Sequence, residues 1–352
     1  MQRWLFLVLS WLFNFTHLTA QENFKLVVTT SGTNASFRGM STPAPDIVWV
    51  SGSNGTVGKS VDGGKTWRWT VVPGFEKNDF RDIEAFDSST AIIMAIGDPA
   101  YLVKTEDGGN NWRVVFQKSA PGMFLDAMHF RNEKEGICVG DPLTIEDSTS
   151  RFFYILRTYD GGNTWSSSTD SKRFRPQPGE AIFSASGTNI SFLDDPGFEY
   201  GFVSGGSASH LFLAGRPGRR DRKITIPIIQ GTPTTGTFSL AAGKKNTMYC
   251  IGGDYKAPES KTRNFTYTNR NGVTWSTSLV PPAGYRSCIT RVYKKALITC
   301  GPTGIDFTVD PAAVWKQISK EGFNVCVVSN ENYILFAGDK GRIGILSYLI
   351  EK

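Results

Sequence analysis

Short apolar runs alternate with polar, glycine-rich breaks along almost the whole chain. Seven of these runs end in glycine: VWVSG (48–52), IIMAIG (92–97), GICVG (136–140), GFVSGG (201–206), MYCIGG (248–253), LITCG (297–301) and ILFAG (334–338). Their β-branched and aromatic content, and the Gly, Asp, Asn and Pro between them, predict strands and turns. Seven copies in roughly 330 residues give about 47 residues per unit, with no room in any unit for a long amphipathic helix. A unit of that length holds about four short strands, which is the size of a propeller blade.

A second repeat runs in step with the first. SVDGGKTW (60–67), TEDGGNNW (105–112) and TYDGGNTW (158–165) are nearly identical, and TNRNGVTW (268–275) and TVDPAAVW (308–315) keep the frame in worn form. The closing tryptophans Trp67, Trp112, Trp165, Trp275 and Trp315 are 45, 53, 110 and 40 residues apart, so the long gap is two periods with one copy lost. The octamer suits the turn between a third and a fourth strand. Its hydroxyl and its carboxylate (Asp62, Asp107, Asp160, Asp310) can accept backbone N–H bonds, and its glycine pair permits positive φ. The tryptophan is expected to open the fourth strand and to pack on the neighbouring blade.

These octamers resemble the Asp-box, or bacterial neuraminidase repeat, found in sialidases, sortilin-type receptors and the photosystem II assembly and stability factors. The resemblance spans residues 24–348, and its style is nearest to the last group and its exported bacterial relatives. It implies an all-β, seven-bladed β-propeller of four-stranded antiparallel blades. Blades are placed at 36–74, 80–118, 124–169, 188–228, 236–281, 285–320 and 323–348. The seventh lacks an octamer and an obvious fourth strand, whereas FKLVVTT (24–30) has no partner in the first blade. The N-terminal strand 24–30 is therefore expected to complete blade seven and close the ring, which removes exposed edges.

The first twenty residues change the cellular picture. Arg3, an apolar run from Trp4 to Phe15 and the small residues Thr19-Ala20 follow the plan of a secretory signal peptide (1–20) cleaved before Gln21. Residues 21–352 then form a single propeller domain, secreted or periplasmic, with no transmembrane span in the mature chain. Among 352 residues, 40% hydrophobic and 20% charged content excludes a largely disordered chain. A net charge of +6 with no basic stripe, together with export, excludes nucleic acid as partner. Only three histidines occur, without metal-ligand spacing, and no dinucleotide signature stands in a strand–helix context, so neither a metal nor a cofactor is expected. The five cysteines include Cys288 and Cys300, which flank a turn at Lys294-Lys295 and can face each other across a hairpin. A bridge there and buried free thiols are the two readings.

The blade frame supplies a candidate site. Octamers mark one end of the ring, so strand-one starts and the loops after strand two share the other. Polar residues gather at those positions: Arg38, Arg81, Asp82, Asp126, Tyr285, Arg286 and Asn324, with Glu180, Ser184 and Asn189 in a longer lead-in to blade four. Asp98, Asp141, Asp254 and Asp339 recur after strand two and are expected to cap their own turns. Two uses of the mouth stay open. In a binding or assembly module for a protein or other polar ligand, Arg38, Arg81, Tyr285, Arg286, Asn189 and Asn324 bind it; resemblance to the assembly factors implies capture of a client through an arginine-rich surface. In a glycan-directed enzyme, a sialidase-like hydrolase or a lyase, Asp82, Asp126 and Glu180 supply acid and base while the arginines hold a carboxylate. The chain departs from sialidases in reading Phe37-Arg38-Gly39 where they carry Arg-Ile-Pro, and no Tyr/Glu nucleophile pair can be assigned.

Overall fold

Each of the seven apolar runs becomes the second strand of an antiparallel sheet. The computed structural model describes residues 23–144, 150–167, 172–244, 246–330 and 333–349. The expected signal segment, residues 1–20, lies outside the described residues. Seven sheets are arranged as blades, and the inner strand of each touches the inner strands of its neighbours round a closed ring. The fold is a seven-bladed β-propeller. From blade one to blade seven the inner strands are Phe37–Ala44, Phe80–Ala85, Leu125–Phe130, Ile190–Phe192, Thr235–Ala242, Cys288–Tyr293 and Val325–Asn330. Closure follows the expected route. Asn23–Thr30 pairs antiparallel with Arg342–Leu349 in unbroken register, from Asn23 opposite Leu349 to Thr30 opposite Arg342.

Blade five departs from the four-strand rule. Its outermost strand is reduced to a bridge between Tyr267 and Ser276. The same sheet gains two short strands on its inner side, Gly205–Gly206 and Glu180–Ala181. The worn octamers explain the thin rim. TNRNGVTW has Arg270 where the intact copies have aspartate, so only the Thr268 hydroxyl caps the turn, accepting from Arg270 N and Gly272 N. The residues after that turn pair instead with the next worn octamer, Leu279 N and Val280 N donating to Ala312 O and Ala313 O.

Intact octamers form the expected turn. Asp62 Oδ1 accepts from Lys65 N (3.0 Å) and Thr66 N (2.9 Å), while the Ser60 hydroxyl accepts from Gly64 N (2.8 Å). Asp107 and Asp160 repeat the pattern. The second glycine carries two duties. Gly109 has φ +83°, and a Cβ there would stand 3.3 Å from the Trp49 ring of the preceding blade. Every octamer tryptophan packs against that preceding blade: Trp112 edge-on to Trp49, Trp315 edge-on to Phe265, and Trp67, Trp165 and Trp275 in the clusters shared with blades seven, two and four. The apolar core is thus a set of inter-blade seams.

The inner strands are also strutted. A side chain on one inner strand accepts a backbone N–H from the next: Ser41 Oγ from Ala85 (3.1 Å), Asp82 Oδ2 from Met128 (2.6 Å), Ser239 Oγ from Ile289 (3.0 Å) and Cys288 Sγ from Cys326 (3.5 Å). Inner-strand amides have no ladder partner on the channel side, so these acceptors satisfy groups that burial would otherwise leave costly.

Candidate functional site

The mouth expected to be open is filled by the protein itself. Residues 182–189 (IFSASGTN) do not lead straight into blade four but cross the end of the channel. Arg81 Nη1 donates to Ser184 O (3.1 Å) and Arg38 Nη1 to Ala185 O (3.4 Å). Ser186 Oγ donates to Ser287 O (2.8 Å), Leu240 N to Thr188 O (2.8 Å), and Asn189 Nδ2 to Phe238 O (2.9 Å). Five blades hold this plug: one, two and three (through Ser184 Oγ to Asp126 O, 3.2 Å), then five and six. Gly187 lets the backbone close on Asp82, since it has φ +70° and a Cβ would come 2.3 Å from the carboxylate. The plug is short and polar, with no periodicity to flag it. Its one sequence sign is the over-long connection before blade four.

Most of the expected site residues therefore serve the plug or the blades. Arg38 and Arg81 reach the mouth but bind plug carbonyls. Arg286 does not reach it: fully buried, it donates from Nε to Asp306 Oδ2 (2.6 Å) and from Nη1 to Tyr285 O and Thr303 Oγ1 (2.9 and 2.8 Å). Glycine at 284 and 301 leaves room for that side chain to fold back into its own blade. Tyr285 packs edge-on against Phe238, and Asn324 ties blade seven to blade one through Phe37 O (3.0 Å) and Asp339 (2.9 Å).

The three candidate catalytic carboxylates occupy unlike environments and do not converge. Asp82 is buried as an inter-blade strut and also accepts from Ile83 N (2.8 Å). Burial pushes it up to about 8. Asp126 is fully buried, neither oxygen has a hydrogen-bond partner among the described residues, and desolvation raises it well above the carboxylate range, reinforced by nearby Asp141. Glu180 lies apart, in a network with His210 Nδ1 (2.9 Å), Ser204 Oγ, Gln177 N (2.6 Å) and Lys223 Nζ (3.1 Å). Burial pushes it up, but the His210 and Ser204 bonds outweigh that and hold it low. The Ser204 hydroxyl donates to the glutamate rather than to the imidazole.

The recurrent aspartates after strand two divide. Asp254 caps its own turn through Lys256 N (2.9 Å). Asp98 instead takes the Ser119 hydroxyl, Asp339 takes Ser36 and Asn324, and Asp141 accepts Ile182 N (2.9 Å) at the plug's entrance. Each of these three reaches beyond its turn because a second segment lies within side-chain range. Cys288 and Cys300 are register partners across their hairpin, as expected. All five cysteines are free and buried, and Cys288 also meets Cys326, sulfur to sulfur at 3.7 Å.

These environments fix a pH dependence. Asp82 (about 8), Asp141 (about 6), Asp126 and Glu84 are all raised by burial. A raised acid contributes stability below its unfolded value, near 4, that is lost as pH rises through the folded value. Asp62, Asp107 and Asp160 are held at about 2. Hydrogen bonds from Thr66 and Asn111 do this for the first two; at Asp160 desolvation is the largest single effect and pushes up, but the bonds from Thr164, Thr158 and Asn163 together outweigh it. Their contribution is present above about 4 and is lost as pH falls through about 2. Thermal stability is therefore expected to peak near pH 4–5 and to decline toward pH 8. Asp82→Asn should flatten the decline, and a melting temperature that climbs from pH 5 to pH 8 would contradict the assignment.

Beside the plug a cleft of about 610 Å³ opens, lined by Asp141, Arg151, Arg175, Gln177 and Glu180. Arg175 is exposed and stacks its guanidinium on Phe152 at 4.8 Å. Among the described residues no group of three or more His, Cys, Asp or Glu could hold a metal ion. No helix there is long and apolar enough to cross a membrane.

The closed ring, the turn-marked face and the plugged mouth define a β-propeller whose nearest expectations lay with the assembly factors. Residues 17–129 match the family described as Photosynthesis system II assembly factor YCF48. Among solved structures, YCF48 bound to D1 peptide matches at 16% identity and TM-score 0.62, covering 93% of this chain and 97% of that one. YCF48 from Cyanidioschyzon merolae matches at 14% identity and TM-score 0.62, covering 92% and 98%. Virginiamycin B lyase from Staphylococcus aureus matches at 12% identity and TM-score 0.64, covering 93% and 100%. No curated protein matches the chain. At such identities the structural matches speak for the fold. With the family match, they make this chain a propeller that resembles the photosystem II assembly factors.

Proposed function

We propose that this protein is a binding module, exported through its N-terminal segment, that docks a polypeptide segment of a partner protein on the plugged mouth. The plug carries this reading. A mouth filled by backbone, with Arg38, Arg81 and Asp82 committed to holding the ring together, offers a surface and a side cleft rather than a deep reaction chamber. Likeness to YCF48, including the structure with a D1 peptide, supports a protein partner. The DGG turns, read as Asp boxes, are scaffold on the opposite face. Exposed Arg175 in the cleft beside the plug is the anchor for a carboxylate of the partner.

The test is capture from detergent-solubilised envelope by the tagged protein, residues 21–352, followed by cross-linking and peptide mapping. A partner cross-linked at the 176–189 face, and weakened about tenfold or more by Arg175→Glu, is the expected result. Cross-links confined to the octamer face, or capture indifferent to Arg175→Glu, would overturn the assignment.

A further inference from the structure

Behind the plug the channel holds a cavity of about 390 Å³, walled by the inner strands of all seven blades and floored by Ser186–Thr188. Because the plug closes the mouth at the strand-one starts, this space leads toward the octamer face. Its polar groups are unevenly satisfied. Arg291, on the inner strand of blade six, is half-buried and lines the cavity, yet its side chain makes no hydrogen bond or ion pair with any described residue. Tyr249 lies near enough for its phenol to feel the charge but does not neutralise it. On the wall supplied by blades two and three stand Glu84 and His129, and His129 Nδ1 is buried without a partner among the described residues.

We propose that this cavity is a binding site for a small monocarboxylate, entered from the octamer face, with Arg291 receiving the carboxylate. The charge balance selects the sign. Asp82, the other acid on the wall, is used up as a strut between blades two and three. Burial pushes the Glu84 carboxyl well above its usual range and drives His129 down to about 4, so His129 presents a neutral hydrogen-bonding ring near neutral pH. No carboxylate among the described residues of the wall pairs with the guanidinium, and its planar fork suits a carboxylate ligand. Met40, Ala242 and Val328 supply apolar surface beside the hydroxyls of Ser191 and Thr290, which suits a short carbon chain bearing an oxygen, and Glu84 and His129 can bond a hydroxyl or keto oxygen on it. A half-buried cation without a partner is costly, and a bound anion removes that cost.

The probes are lactate, pyruvate and 3-hydroxybutyrate, titrated into the protein by calorimetry up to about 50 mM, with lactamide as the uncharged control. Saturable binding of at least one acid and none of lactamide is expected. Arg291→Gln, which removes the charge but breaks no side-chain bond in the fold, should lower affinity about tenfold or more without lowering the unliganded melting temperature. Arg291→Lys should restore part of the binding. No saturable heat with any of the three acids, or equal affinity in Arg291→Gln, overturns the proposal. The Arg175→Glu substitution at the other face should leave these titrations unaltered, so failure of the partner-docking assignment and failure of this one are separable.

Discussion

Arg286→Leu is expected to destabilise the protein by about 3–5 kcal/mol, read as a fall in the urea midpoint at constant slope. The guanidinium is fully buried, and its Nε–Oδ2 contact of 2.6 Å is the charge partner of an equally buried Asp306. Removing the arginine strands a carboxylate inside blade six, where, among the described residues, only Ala283 N (3.1 Å) still donates to it. The pair itself contributes little net stability, because two desolvation costs stand against one attraction. Arg286→Leu combined with Asp306→Leu should therefore lose less than the single change. A double variant as unstable as the sum of its singles would show that the pair is not coupled as the distances imply.

Starting the chain at Ser31 is the second large perturbation. It removes the strand Asn23–Thr30 and with it eight register pairs, and it uncovers the full edge of Arg342–Leu349. Phe24, which meets Phe307 edge-on at 5.0 Å, and Leu26 leave the largest apolar seam, the one joining blades six, seven and one. An unpaired eight-residue edge is a template for pairing with other chains. The shortened protein should melt at least about 10 °C lower and sediment as oligomers, whereas the same protein supplied with the peptide 23–30 in trans should recover monomer. A monomeric truncation with an unchanged melting temperature would mean that the ring is held by the blade seams alone.

The reach of the sequence differed between scaffold and site for a physical reason. The glycine-ended runs and the octamers repeat, so each blade confirms the register of the others, and ring closure by 24–30 followed from one missing and one surplus strand. The octamer tryptophans could be assigned to inter-blade seams because their position in the turn dictates which side they face. The mouth has no such redundancy. Arg38 and Arg81 reach the plugged end of the ring, but nothing in FSASGTN announces a segment that will lie across it. Arg286 shares its frame position with residues that face the mouth. What turned it inward is Asp306, twenty residues away on the third strand of the same blade, a pairing that no local pattern encodes. Arg291 and Glu84 lie on strand-one positions where repeat logic expects ordinary wall residues, and only the closed ring shows that one of them is left without a counter-charge.

The plug also sets an order of events. It is synthesised between blades three and four, yet its bonds span 147 residues back to Arg38, 103 back to Arg81 and 101 forward to Ser287. The forward contacts cannot form while the chain is emerging blade by blade, since the carbonyls of Phe238 and Ser287 do not yet exist in place. Nearest-neighbour blade seams can form early, and the plug must seat late, when both halves of the ring have met. It behaves as a keystone: its hydrogen bonds become available only to a chain whose blades are already in the right number and order, which couples completion of the mouth to correct assembly of the whole circle.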